Sequence, residues 1–218
     1  MKIPPISYSF HRNWKTCPRQ AWHVNIAKDV QIEQSAAIVW GNRVHELFEK
    51  RINNNEPFPE GIRRYEDYAR FPAGYVVAAE LKLGMTKARK PCDFFAEECW
   101  ARGVLDVVLR HTSNNKVALI IDHKTGKKRE DPAELRMHAV LLAANNPSLN
   151  DIRGWYNWLK TNEMGVVYDL SDVDETYREM VEVRNRVEHA AMLGEPAFMP
   201  KQGPLCPWCP VKDCELHP

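Results

Sequence analysis

The chain has 218 residues, 44% of them hydrophobic and 27% charged, with a net charge of +1. That is room for one sizeable core, and the near-neutral balance excludes a globally basic nucleic-acid binder. No apolar run approaches the ~20 residues that cross a bilayer, and residues 1–5 lack the apolar core of a signal peptide. The expectation is a cytoplasmic protein with no membrane partner, whose six cysteines are free or metal-bound rather than disulfide-linked.

In chain order, Ser7 or Ser9 caps a helix running towards Cys17, and Pro18 suits the first turn of a new one. Cys17 itself is either a small buried apolar residue or a ligand. Residues 35–53 predict a strong helix, with Ile38, Val39, Val44, Leu47, Phe48 and Ile52 on one broad face. Gly41 inside it costs about 1 kcal/mol against alanine, which points to something approaching closely. His45 and Glu49, four apart, share a face, as a surface pair or as a metal ligand with a supporting acid. Residues 60–70 are charged, a short helix or loop. Residues 75–83 predict a strand containing Glu80, and 94–102 are strand-like, with Cys92 and Cys99 as packing residues.

Residues 103–110 and 117–121 predict a hairpin around the turn formers Thr112-Ser113-Asn114-Asn115. Two acids interrupt these apolar strands, Asp106 in the first and Asp122 at the end of the second, and Lys124 follows Asp122 after one residue. A buried, unpaired carboxylate is expensive, so each acid needs a metal, a cation or a structural partner. Asp131 and Pro132 start a helix that continues to residue 145. Residues 152–159 predict an aromatic strand, turned by 161–165 into a second strand at 166–170. Ser171 and Asp172 cap a long helix over 173–193 that ends at Gly194.

From residue 195 prolines rule out regular structure. Cys206, Cys209 and Cys214 place three thiols in nine residues, a metal-site pattern. Two fourth ligands are available: His217, giving a zinc knuckle, or Cys17, giving an all-cysteine site suited to an iron–sulfur cluster. The alternation of helices and strands predicts an α/β fold with a cysteine-rich tail. The chain divides into an N-terminal helical segment (1–34), a core (35–194) and a tail (195–218). Asp106, Asp122 and His45 are hard or borderline ligands suited to magnesium or manganese. With Lys124 to neutralise a phosphate or position a water, they suit metal-assisted phosphodiester hydrolysis.

Gly41-x-x-x-His45-x-x-x-Glu49, Gly103-x-x-Asp106 and Ile121-Asp122-His123-Lys124-Thr125-Gly126, in that order, resemble the PD-(D/E)XK nuclease superfamily and are similar in particular to RecB-type exonucleases. Cys17 in its Cys-Pro-Arg context and the final Cys-x-x-Cys-x-x-x-x-Cys resemble the iron–sulfur branch, which includes CRISPR-associated adaptation nucleases and many phage exonucleases. The resemblance covers residues 17–214. It implies a restriction-endonuclease-like core, a central mixed sheet flanked by helices, with an iron–sulfur appendage joining the N- and C-termini. It implies that His45, Asp106, Asp122 and the backbone carbonyl of His123 bind magnesium or manganese, and that Lys124 is catalytic. Cys17, Cys206, Cys209 and Cys214 would hold a 4Fe-4S cluster. Glu49 and Glu80 would be auxiliary acids. Glu134 and His138 stand where the family carries glutamine and tyrosine, and Arg136 is a candidate phosphate contact.

The implied activity is a DNA exonuclease acting on linear ends, single- or double-stranded, in phage or mobile-element recombination and repair, with a single-strand annealing protein or a recombination machinery as partner. Trp14, Trp22, Trp40 and Trp155 are candidate stacking surfaces for single strands. The rival reading is a non-catalytic nucleic-acid-binding or assembly protein with a zinc knuckle. Loss of Asp106, Asp122 or Lys124 would favour it, and all three are present.

Overall fold

A computed structural model describes residues 2–218 and resolves into two compact units. One runs from Gln34 to Asp174; the other is built from the two ends of the chain, up to Glu33 and from Glu175 onward.

The first unit is a mixed sheet between helices. β1 (Tyr75–Met85), β2 (Pro91–Cys92), β3 (Ala101–His111), β4 (Val117–Lys124), β5 (Asp151–Trp158) and β6 (Glu163–Met164) are ordered β2-β1-β3-β4-β5-β6, and β7 (Tyr168–Asp169) also pairs with β5. β1–β3–β4 is an antiparallel meander, whereas β4 and β5 are parallel. The parallel step requires a crossover, and α4 (Ala133–Asn145) supplies it. α3 (Ala36–Asn53) covers one face through Val44, Phe48 and Ile52, which pack with Ile62, Leu159, Val107 and Ile121. Because side chains alternate along a strand, Asp122 and Lys124 point away from Ile121 to the other face, where Lys124 meets Glu134 of α4.

The second unit holds α1 (Tyr8–Thr16), capped by Ser7, whose Oγ accepts from Phe10 N at 3.3 Å, and α2 (Pro18–Ala21). α5 (Val173–Leu193) stops at Gly194, whose φ of 87° suits glycine. From Glu175 α5 belongs to the unit built from the chain ends. Its Val183, Val187 and Ala190 are buried against Phe10, Ala21, Trp22 and Phe198.

Three local expectations differ from the structure. Residues 94–99 form tight turns rather than a strand: Ala96 N bonds Asp93 O at 3.0 Å and Cys99 N bonds Ala96 O at 3.2 Å. Arg102 fixes them, donating to Phe94 O at 3.1 Å while lying over the Phe94 ring. The expected strand over 166–170 is reduced to β7, and β6 forms within the expected turn over 161–165; the two short pieces pair with opposite ends of β5. On α3, Ile38 and Val39 are 43% and 51% exposed, so the apolar face is buried only from Val44 onward.

Candidate metal centre

Three acids lie in one row across the meander. Ala79 pairs with Val107 and Leu81 with Leu105, which sets Glu80 opposite Asp106; Val107 pairs with Ile121, which sets Asp106 opposite Asp122. The backbone ladder gives way along this row. His123 N–H donates to Asp106 Oδ2 at 2.8 Å instead of to a strand carbonyl. Glu80 has φ of 51° inside a strand, a conformation worth about 1–2 kcal/mol of strain in a residue with a Cβ. Strain of this kind persists where surrounding structure demands a particular side-chain position.

α3 brings His45 over the row. Its Nδ1 is 3.3 Å from Glu80 Oε1 and 3.3 Å from Asp106 Oδ2. The ligand atoms of His45, Glu80 and Asp106 all lie within 4.8 Å of one another, the one such trio of histidine, cysteine or carboxylate atoms among the described residues. Donors about 2.1 Å from a single ion stand within about 4.2 Å of each other, so a small contraction would close this group on a cation. Burial alone would lower the His45 pKa, but hydrogen bonds to Asp106 and Glu80 carry it up to about 10. A proton on His45 therefore offsets one of the two negative charges it faces. Burial and the nearby Asp122 charge push the Asp106 carboxyl up to about 6, against His45 and Lys124.

Asp122, 2% exposed, stands outside the trio. Lys124 Nζ lies 2.8 Å from its Oδ1 and 3.0 Å from its Oδ2, and 2.6 Å from Glu134 Oε2. Burial opposes ionisation of Asp122, but the ammonium holds its carboxyl below the usual carboxylate range. Burial and the Asp122 charge raise Glu134 to about 7 despite Lys124. Burial alone would lower the Lys124 pKa; its two carboxylates raise it and keep it a cation. Gly41 allows α3 to pass this strand end: a Cβ there would sit 3.2 Å from Thr125 Oγ1.

The other expected residues are distributed around this centre. The His123 ring turns to the opposite face and stacks on Phe48, with ring centres 4.0 Å apart, so only its backbone faces the acids. Burial lowers its pKa to about 3. Glu49 is half-buried, one turn beyond His45 and outside the trio. His138 is buried with Nδ1 unpartnered among the described residues, and burial lowers its pKa to about 4. Arg136 is exposed; two residues beyond Glu134 is about 200° around the helix, so it leaves the face that Glu134 and His138 share. Glu80, which the resemblance marked only as an auxiliary acid, contacts His45 directly. Its signal was the one Asp106 gave, an acid within an apolar strand.

The second unit gathers Cys17, Cys206, Cys209 and Cys214 around one cavity of about 320 Å³. Cys17 breaks the chain between α1 and α2 with an extended backbone. Its Sγ accepts from Lys201 N at 3.4 Å, and Cys206 Sγ accepts from Gly203 N at 3.4 Å. Backbone N–H groups aimed at sulfur favour thiolate and metal-bound sulfur. Burial raises the Cys209 pKa, and the thiols of Cys17, Cys214 and Cys206 raise it further, against a backbone bond from Val211. His217 lines the same cavity, but its ring nitrogens lie 3.3 Å from Lys212 Nζ and 3.0 Å from Pro218 O. No three of these sulfurs lie within 4.8 Å of one another. Four thiolates on one zinc at about 2.3 Å would be closer than that.

No curated protein sequence matches the chain. Among solved structures, the crystal structure of SSO0001 superposes with a TM-score of 0.55 at 14% identity, covering 100% of this chain and 89% of that one, a likeness of fold. The family model for the PD-(D/E)XK nuclease superfamily matches residues 5–214. That span contains the acid row, His45, Lys124 and all four clustered cysteines, and with it the chain belongs to the PD-(D/E)XK nuclease superfamily.

Proposed function

We propose that this protein is a metal-dependent DNA exonuclease of the RecB type, acting on DNA ends in recombination or repair of phage or mobile-element DNA. The observation that carries the reading is the His45–Glu80–Asp106 trio beside the Asp122–Lys124 pair. Two carboxylates and one imidazole fit a divalent ion, and the imidazole favours manganese over magnesium. His45, Glu80 and Asp106 would hold the ion, with Asp122 and the His123 carbonyl able to complete the set. When bound, the ion supplies a water of lowered pKa and stabilises charge on the phosphate. Lys124, fixed between Asp122 and Glu134, presents a cation to a non-bridging phosphate oxygen or orients the attacking water. Glu134, raised towards neutrality, can accept a proton from that water. α3 orients His45, and the buried His123 ring locks that helix to β4.

The cysteine cavity would hold a 4Fe-4S cluster on Cys17, Cys206, Cys209 and Cys214, a structural clasp between the two ends of the chain. A single-strand annealing protein or a recombination machinery would use the processed ends. The test is digestion of end-labelled linear DNA and of a covalently closed circle, with magnesium, manganese or EDTA. Metal-dependent loss of linear DNA with the circle spared supports the reading. Intact linear DNA from folded protein overturns it in favour of a binding protein, and nicking of the circle overturns end dependence.

A further inference from the structure

A groove of about 280 Å³ on the first unit is lined by Trp40, Arg64, Tyr65, Thr125, Leu159 and Lys160. Thr125, which lines it, is the residue after Lys124 in the chain. One of its walls is Trp40, 45% exposed in the otherwise exposed first turns of α3. Arg43, Lys50, Arg51 and Lys128 each pair with a carboxylate. Arg64 and Lys160 are exposed, and among the described residues neither has a carboxylate partner. Arg64 is also held in place: its Cζ lies 4.8 Å from the Tyr65 ring centre, and Nη2 donates to Tyr65 Oη at 2.8 Å.

We propose that this groove is a stacking subsite for an unpaired nucleotide, with the base on Trp40 and the flanking phosphates on Arg64 and Lys160. It rests on the nuclease reading for its relation to Lys124. An exposed aromatic ring bordered by unpaired cations is what single-stranded nucleic acid requires of a surface. The volume lies at the lower end of small-ligand pockets, suited to a splayed-out nucleotide and too small to admit a stacked base pair. Occupancy would lead the strand end past Thr125 to Lys124 and make the enzyme act on frayed or single-stranded ends.

Binding of fluorescein-labelled oligothymidylate and of a blunt duplex of equal length, followed by anisotropy in EDTA, tests this without cleavage. Trp40→Ala should weaken single-strand binding about 5- to 150-fold, the loss of one stacked base, with little change for the duplex, while Trp40→Phe stays near wild type. Arg64→Ala/Lys160→Ala should flatten the dependence of log affinity on log salt by about 1.4, two phosphate contacts on a single strand. Unchanged single-strand affinity in Trp40→Ala, with wild-type circular dichroism, overturns the subsite. A wild type that binds single strands through Trp40 yet cuts no DNA upholds the subsite and refutes the nuclease reading; cutting without any Trp40 dependence of binding does the reverse.

Discussion

Lys124 neutralises two carboxylates, one of them almost fully buried, and so has a structural duty as well as a proposed chemical one. Lys124→Ala leaves Asp122 without its cation, and breaking such a pair costs about 3 kcal/mol. A thermal melt should show that loss, while cleavage at a temperature where the variant stays folded should fall at least 100-fold. His138 supplies a second prediction at this scale. Its native pKa of about 4 lies below the unperturbed 6.5. Between those values the unfolded chain takes up a proton that the folded chain refuses, so stability rises with pH across that window and is flat above it. Asp106 and Glu134, raised instead, oppose this in the wild type, so the comparison must be with His138→Gln. Urea melts should show the wild type losing roughly 2 kcal/mol relative to the variant as pH falls from 7 to 4. Asp106, Asp122 and Lys124 were legible in the sequence because an acid in a Val/Leu/Ile strand demands a partner. The promotion of Glu80 to a direct contact of His45 was not, because it depends on a left-handed backbone that no composition signal marks.

Helix and strand boundaries followed local chemistry closely wherever a cap or a breaker existed. Ser7, Ser35 and Gly194 each mark an element end within a residue. Where the signal was apolar content alone, tertiary context overrode it. Residues 94–99 are pulled into turns by Arg102, and Ile38 and Val39 stay exposed because the sheet begins to cover α3 only at Val44. Hydrogen exchange should reflect this: amides of the first two turns of α3 should exchange well before those of residues 44–52. On α5 the heptad-like spacing of Val183, Val187 and Ala190 faces a real core, and Val187→Ala should destabilise the protein by about 2 kcal/mol in chemical denaturation.

At the scale of the molecule, the metal centre and the cysteine cavity belong to different units. The chain ends form a unit of their own, which the composition change at residue 195 signalled only in part. The pairing of α5 with α1 is set by contacts between residues more than 160 positions apart, invisible to local pattern. If the cavity holds a cluster, anaerobically purified protein should be brown and contain about four iron atoms per chain. Cys17→Ala should then lose the colour and lower the melting temperature, while stoichiometric zinc in a colourless protein would contradict the clasp. The most direct measurement is the initial rate of nucleotide release from end-labelled linear DNA as manganese is titrated, for wild type and for Asp106→Asn. Release by wild type that saturates with manganese, vanishes in EDTA and falls at least 100-fold in folded Asp106→Asn is the expected result. Equal rates for the two proteins, or release undiminished by EDTA, would contradict a metal-dependent nuclease centred on the acid row.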